Sequence, residues 1–286
     1  MVDNIVKRGS LHRAYPEDYS LAEEVGYKQE TIPFIVVADG CSGGAHTEVG
    51  AMIVCHAARA AFLRLLREED QDGSWVDGYF QKELFNRVLT SIKTTADELI
   101  IPWNTMIATL RMAWVRDEKI YTIEAGDGYQ LGVKQDSVGR TGTYFVKYEY
   151  AQNAPFYPAY IAFDQVRSYE TIDNNDLTVT VSGAQTDVKV PSTTIFYNVY
   201  DAKDFVYFGM ASDGLGTYRK RDFAPEVYPD TKVLEALTDF KNSTGTFMVR
   251  RFQRFDAEML KDNFDSYDDI SVAMINVEEC LKVNRI

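Results

Sequence analysis

Four short segments of this chain set an aspartate beside an apolar run and next to a glycine or a second acid. They are Val37-Ala38-Asp39-Gly40, Ala125-Gly126-Asp127-Gly128, Ala211-Ser212-Asp213-Gly214 and Asp268-Asp269-Ile270-Ser271-Val272. A fifth segment, His12-Arg13-Ala14-Tyr15-Pro16-Glu17-Asp18, adds two acids and an arginine near the start of the chain. A carboxylate at a strand end is fixed by its sheet yet can point into a cleft, which suits a preorganised site. The adjacent glycines permit tight turns and close backbone approach to a ligand. Donors that are all oxygen favour Mg²⁺, Mn²⁺ or Ca²⁺ over zinc or copper. Any single Asp-Gly is a common turn dipeptide with no chemistry attached. Recurrence at several apolar strand ends, together with a late Asp-Asp, weighs against turns alone.

The elements that must position these residues are partly readable. Residues 31–38, TIPFIVVA, form a short apolar, β-branched run that reads as a buried strand stopped by the Asp39-Gly40 turn. A helix is expected from Thr47, with Thr47 as its N-cap, a stripe of Val49, Met52, Ile53, His56, Ala60 and Leu63, and a polar end at 67–70. On that stripe His56 reads as a core histidine, and His46 as a polar residue at the helix start. A second helix over 76–99 places Phe80, Leu84 and Val88 on one face. Strands follow at 105–115, 119–125 and 129–134, then at 176–181 and 204–211. Helices return at 229–241 and 245–262, and 269–277 closes as a strand. Helices, then strands, then helices indicate an α+β domain whose sheets are covered by helices. The stretch 150–200 carries little pattern. With no linker or internal repeat, one domain over 1–286 is expected.

Composition bounds the function. Of 286 residues, 45% are hydrophobic and 26% charged, the profile of an ordinary globular protein able to bury a core. A formal charge of −13 argues against a general nucleic-acid binder, because acidic surfaces repel phosphate backbones. No uninterrupted apolar run reaches membrane-spanning length, and the N-terminal residues lack the apolar core of a secretory signal. Cys41, Cys55 and Cys280 form neither a disulfide framework nor a zinc pattern, so a reducing cytoplasm is the expected location. Three scattered histidines do not make a histidine-rich metal site.

The five segments, in this order, resemble the motifs of the type 2C metal-dependent protein phosphatases. That family runs from an Arg followed four residues later by Glu-Asp, through Asp-Gly, Gly-Asp and Ser-Asp-Gly, to Asp-Asn/Asp-x-Ser-Val. The matching residues here are Arg13 with Glu17-Asp18, Asp39-Gly40, Gly126-Asp127, Ser212-Asp213-Gly214 and Asp268-Asp269-Ile270-Ser271-Val272, and they span nearly the whole chain. DGCSGGAHTEVGAM further resembles prokaryotic members. The resemblance implies a four-layer α-β-β-α sandwich of two antiparallel sheets with a metal site at one edge. It implies protein serine/threonine phosphatase activity, by hydrolysis of phosphomonoesters with a metal-activated water. Two or three Mn²⁺ or Mg²⁺ ions would be held by Glu17, Asp39, the Gly40 carbonyl, Asp127, Asp213 and Asp268. Asp39 would bridge two ions, Asp213 and Asp268 would hold the first, and Asp127 with Asp213 the weaker third. Arg13 would clamp the substrate phosphate. The implied partner is a phosphorylated protein, opposed to a cognate Ser/Thr kinase system, with no nucleic acid and no membrane.

The chain also departs from that pattern. Cys41 stands where some members carry a histidine as leaving-group acid, and Pro16 replaces the usual Asn before Glu-Asp. The Thr-x-Asp-His segment that many members carry after Gly-Asp is not recognisable. A Cys-x5-Arg phosphatase loop is excluded because position 47 is Thr. Glu48 reads as a first-turn helix charge. Arg250, Arg251 and Arg254 form a basic patch read as a solvated helix face, with a contact to acidic or phosphorylated protein as the lesser reading. A second function class stays open: a catalytically degenerate family member that binds a phosphoprotein or partner without hydrolysis. A phosphatase of small phosphorylated molecules is a third.

Overall fold

The computed structural model of the chain describes residues 1–12, 14–72, 79–221 and 226–283. Its centre is a pair of large antiparallel sheets. The first runs in the order β1 (Val2–Lys7), β14 (Ile270–Asn276), β11 (Phe205–Ala211), β6 (Gly128–Gln135), β7 (Thr141–Tyr150), β8 (Leu177–Val181) and β9 (Val188–Val190). The second runs β10 (Phe196–Asp201), β5 (Lys119–Ala125), β4 (Leu110–Arg116), β3 (Glu30–Ala38) and β2 (Tyr19–Tyr27). A small ribbon pairs β12 (Tyr218–Lys220) with β13 (Phe264–Ser266).

Side-chain alternation along β3 explains the layering. Successive residues of a strand face opposite sides. Phe34 and Val36 pack toward helices α1 (Thr47–Asp72) and α2 (Tyr79–Leu99), in a core with Phe62, Leu84 and Trp114. Ile35 and Val37 point the other way, into an inter-sheet core with Phe208, Met210 and Ile275. On the far side of the first sheet, Tyr129, Leu131 and Met274 pack against Leu234 of α5 (Asp230–Thr238) and Phe252 and Phe255 of α6 (Phe247–Lys261). The order of layers is therefore helix, sheet, sheet, helix, as the resemblance implied. Short helices α3 (Pro158–Ala162) and α4 (Val166–Tyr169) lie between β7 and β8, and α7 (Val277–Val283) follows β14.

Several sequence expectations need correction. The strand expected over 105–115 begins only at Leu110, because Trp103–Met106 forms a 3-10 turn after Pro102. Helix α1 continues to Asp72, past the expected end at 67–70. Its buried stripe is Ala51, Val54, Cys55, Ala58 and Phe62, rotated from the one expected. The stretch Val49–Ala58 of α1 is nearly all apolar and offers two stripes of the same period, and the sheet selects the one with mostly smaller residues. His56 consequently lies exposed, its Nε2 3.4 Å from the Tyr19 hydroxyl, and is not a core histidine. The Gly50 amide bonds the His46 carbonyl at 3.3 Å, so His46 holds the cap position with a φ of +56° and Thr47 is the first helical residue. Thr47–Glu68 has the length and mean hydropathy (1.5) of a membrane-spanning segment, but Glu48, Arg59 and Arg64 interrupt its apolar run and 56% of its most apolar stretch is buried within the fold. The unpatterned stretch 150–200 holds α3, α4 and three strands.

Candidate active site

The sheets bring the acidic segments to one end. Asp39 follows β3, and its amide bonds the Thr109 hydroxyl at 2.9 Å while its carbonyl accepts the Thr109 amide at 2.8 Å. That double link ties the β3 end to the start of β4. Asp127 sits in the β5–β6 turn between Gly126 and Gly128. Ala211 pairs with both Tyr129 of β6 and Val272 of β14, so the residues just beyond β11 fall beside the Asp127 turn and the start of β14. Asp213 is there, opening a 3-10 turn, and Asp268 lies two residues before β14 with its amide on the Thr217 hydroxyl at 3.1 Å. Added at Gly214, a Cβ would lie 1.8 Å from the Asp269 carbonyl oxygen, so only glycine lets these two loops touch.

One pocket of about 100 Å³ is lined by Glu17, Asp39, Gly40, Asp127, Asp213 and Asp268, together with His12, Cys41 and Tyr157. Arg13 lies outside the described residues. The structure adds acids and a histidine to which sequence analysis assigned no role. Asp269 is buried and accepts the Gly9 amide at 2.6 Å and the Glu17 amide, holding the Glu17 loop against the start of β14. The His12 imidazole lies between Asp268 (Nε2, 3.1 Å) and Asp269 (Nδ1, 3.0 Å). Asp18 is buried and faces Asp39, Ser212 and Ser271, but no donor is aligned on either of its carboxylate oxygens. Asn153, Pro155 and Tyr157 from the unpatterned stretch complete the wall. His12 and Asp269 stand inside segments already singled out, but residue type does not mark their roles, which arise from contacts across more than 250 positions of chain.

Charge is concentrated here with little to offset it. Burial, followed by repulsion from Asp18, Asp213 and Asp127, pushes the Asp39 carboxyl well above the usual carboxylate range. Burial and then Asp213 do the same to Asp127. Burial raises Asp213 and Glu17 as well, and lifts Asp18 to about 7. Burial also raises Asp269, against the pull of its two backbone donors and His12. Glu17 Oε2 and both Asp18 oxygens are buried acceptors with no donor. Such acceptors, in an all-oxygen set of repelling carboxylates, fit hard divalent cations by donor kind. Among the described residues, however, no group of three or more His, Cys, Asp or Glu side chains is closed into an arrangement that could hold an ion as it stands.

A family model described as protein phosphatase 2C matches residues 17–238. The chain belongs to the protein phosphatase 2C family. The matched span takes in Glu17, Asp39, Asp127 and Asp213, while Arg13 precedes it and Asp268 follows it. Solved protein phosphatases share the fold at low identity. The serine/threonine phosphatase Stp1 from Staphylococcus aureus superposes with a TM-score of 0.53 at 14% identity, over 96% of this chain and 93% of that one. A bacterial serine phosphatase gives 0.53 at 15%, over 96% of both chains. PppA, described as a key regulatory component of T6SS in Pseudomonas aeruginosa, gives 0.50 at 14%, over 96% of both. No curated protein matches the chain by sequence. In this protein phosphatase 2C member the residue after Asp-Gly is half-buried Cys41, and the imidazole at the acidic pocket comes instead from His12.

Proposed function

We propose that the chain is a metal-dependent protein serine/threonine phosphatase that uses two or three Mn²⁺ or Mg²⁺ ions. The observation that carries this reading is the convergence of Glu17, Asp39, Gly40, Asp127, Asp213 and Asp268 on one pocket in a protein phosphatase 2C fold. Those side chains and the Gly40 carbonyl would hold the ions. When bound, such ions offset the charge of a phosphomonoester dianion and activate water for in-line attack. The chain's own residues supply the rest. Thr109 fixes Asp39, and Asp269 fixes Glu17 through its backbone amide. His12 bridges Asp268 and Asp269, and Arg13 would grip the phosphate through the paired donors of its guanidinium. The substrate class is a phosphorylated protein, which a Ser/Thr kinase must supply, in the cytoplasm.

The test is phosphate release from p-nitrophenyl phosphate and from phosphothreonine peptides with Mn²⁺, Mg²⁺, Ca²⁺ or EDTA. Release from both substrates, dependent on Mn²⁺ or Mg²⁺ and abolished by EDTA, is expected. Activity on the small ester alone would move the substrate class to small molecules. A second reading is favoured by the carboxylates that do not close around an ion as they stand. Silence with every metal, beside retained binding of a phosphoprotein, would establish that binding role.

A further inference from the structure

Behind the Asp127 turn lies a buried cation on β4. Arg111 is 0% exposed, and its Nη1 donates to the carbonyl oxygens of Gly126 at 3.4 Å and Asp127 at 3.2 Å. Its Nη2 pairs with Glu124, its register partner on β5, and its guanidinium carbon stands 4.5 Å from the Tyr148 ring centroid. Glu124 is also fully buried, and Gln130, Thr122 and Tyr148 donate to it as well. Arg111 shares a strand face with Ala113 and Val115, so this polar knot sits between the two sheets.

A buried ion pair gives little net stability over apolar residues of the same volume, so its specific effect must be sought in what it holds. It holds a turn of unusual backbone. Gly126 and Gly128 have φ of +94° and +115°, and a Cβ at Gly128 would lie 2.5 Å from the Ala211 carbonyl oxygen and 3.1 Å from Arg111 Cδ. The turn has no freedom to settle elsewhere while two of its carbonyls are gripped from behind. We infer that Arg111 is a positioning residue for Asp127: it presents the turn so that the Asp127 carboxylate projects into the acidic pocket. This rests on the metal-binding reading of that pocket, where Asp127 belongs to the weakest cation site. Glu124 pairs with one nitrogen of Arg111, and the other ties the guanidinium to the two turn carbonyls.

The experiment titrates Mn²⁺ calorimetrically into the full chain as wild type, as the double variant Arg111→Met with Glu124→Gln, and as Arg111→Lys. Metal-free melting and the Mn²⁺ dependence of p-nitrophenyl phosphate turnover are followed beside it. The double variant removes both charges without orphaning either. It should weaken the weakest Mn²⁺ binding event by about tenfold or more, the loss typical of removing a residue that supports a ligand. The tighter events should not move, and half-maximal turnover should need correspondingly more Mn²⁺. Lysine keeps the charge but has one nitrogen, which cannot reach the turn carbonyls and Glu124 together as Nη1 and Nη2 do, so Arg111→Lys should shift the same event by a smaller factor. A Mn²⁺ isotherm identical to wild type, with only the metal-free melting lowered, would make Arg111 a core support and overturn the inference. Should the double variant fail to fold, an unchanged isotherm for Arg111→Lys overturns it equally. A wild-type chain that binds no Mn²⁺ would overturn the proposed function as well, whereas normal wild-type binding with unaltered variants overturns the positioning role alone.

Discussion

Asp39 and Asp213 are crowded by other carboxylates, and this makes their effects on activity and on stability separable. Asn keeps the shape of Asp but removes its charge. Asp39→Asn and Asp213→Asn should each lower Mn²⁺-dependent turnover by more than about hundredfold, beyond what supporting residues typically cost. Melting without metal should hold or rise, since each substitution relieves repulsion inside the pocket. Turnover and melting, with and without Mn²⁺, check both halves. If melting without metal collapses instead, the carboxylate was serving a turn. These two aspartates were legible in sequence because each follows an apolar strand and precedes a glycine. Asp269, His12 and Arg111 were not. Their roles depend on which backbone amides and carbonyls the fold sets beside them, and an arginine in TMIATLRMAWV looks like an interruption of a strand.

At the level of elements, the close contact of the Asp213 turn with the residues before β14 is the most exposed to test. Gly214→Ala would force a methyl onto the Asp269 carbonyl oxygen. Overpacking of this kind costs about 1–3 kcal/mol. Separating the loops should also displace Asp213 from Asp268, so turnover should fall further than stability predicts. Kinetics beside thermal melting measure the two, and unchanged turnover at a lowered melting temperature would uncouple that contact from the site. The strands that flank this contact were readable, as were β5 and β6, since short apolar runs bounded by turn residues need no tertiary help. β1 and β2 escaped notice because VDNIVK and YSLAEEVGY are only partly buried and their apolar runs are broken by Asp3 and Asn4 in the first and by Glu23 and Glu24 in the second. The face of α1 was misjudged for the opposite reason: it has too many apolar positions to choose among.

For the molecule as a whole, the crowding of acids sets how stability responds to pH and metal. A carboxyl raised in the folded state binds its proton more tightly there than in the unfolded chain. Its stabilising contribution is therefore complete below the unfolded value of 3.8 and is lost as pH rises through the folded one, about 7 for Asp18. Without metal, wild type should lose stability relative to Asp18→Asn across that window, and above it Mn²⁺ should restore wild type by binding the folded state. Melting of both proteins in EDTA across that pH range is the measurement, and a difference that stays flat with pH would remove Asp18 from the charge cluster. The layered architecture was foreseen through the family resemblance; the helix–strand–helix order alone is compatible with other stackings of sheets. One consequence of that architecture is mechanical. β3 is packed on both faces, by helices on one side and by the opposing sheet on the other, and Asp39 continues directly from it. The pocket thus has a fixed jaw, which cannot shift without prising open two cores at once. Whatever accommodation a ligand demands falls to the parts of the pocket wall carried on loops instead of strands, among them His12, Asn153 and Tyr157.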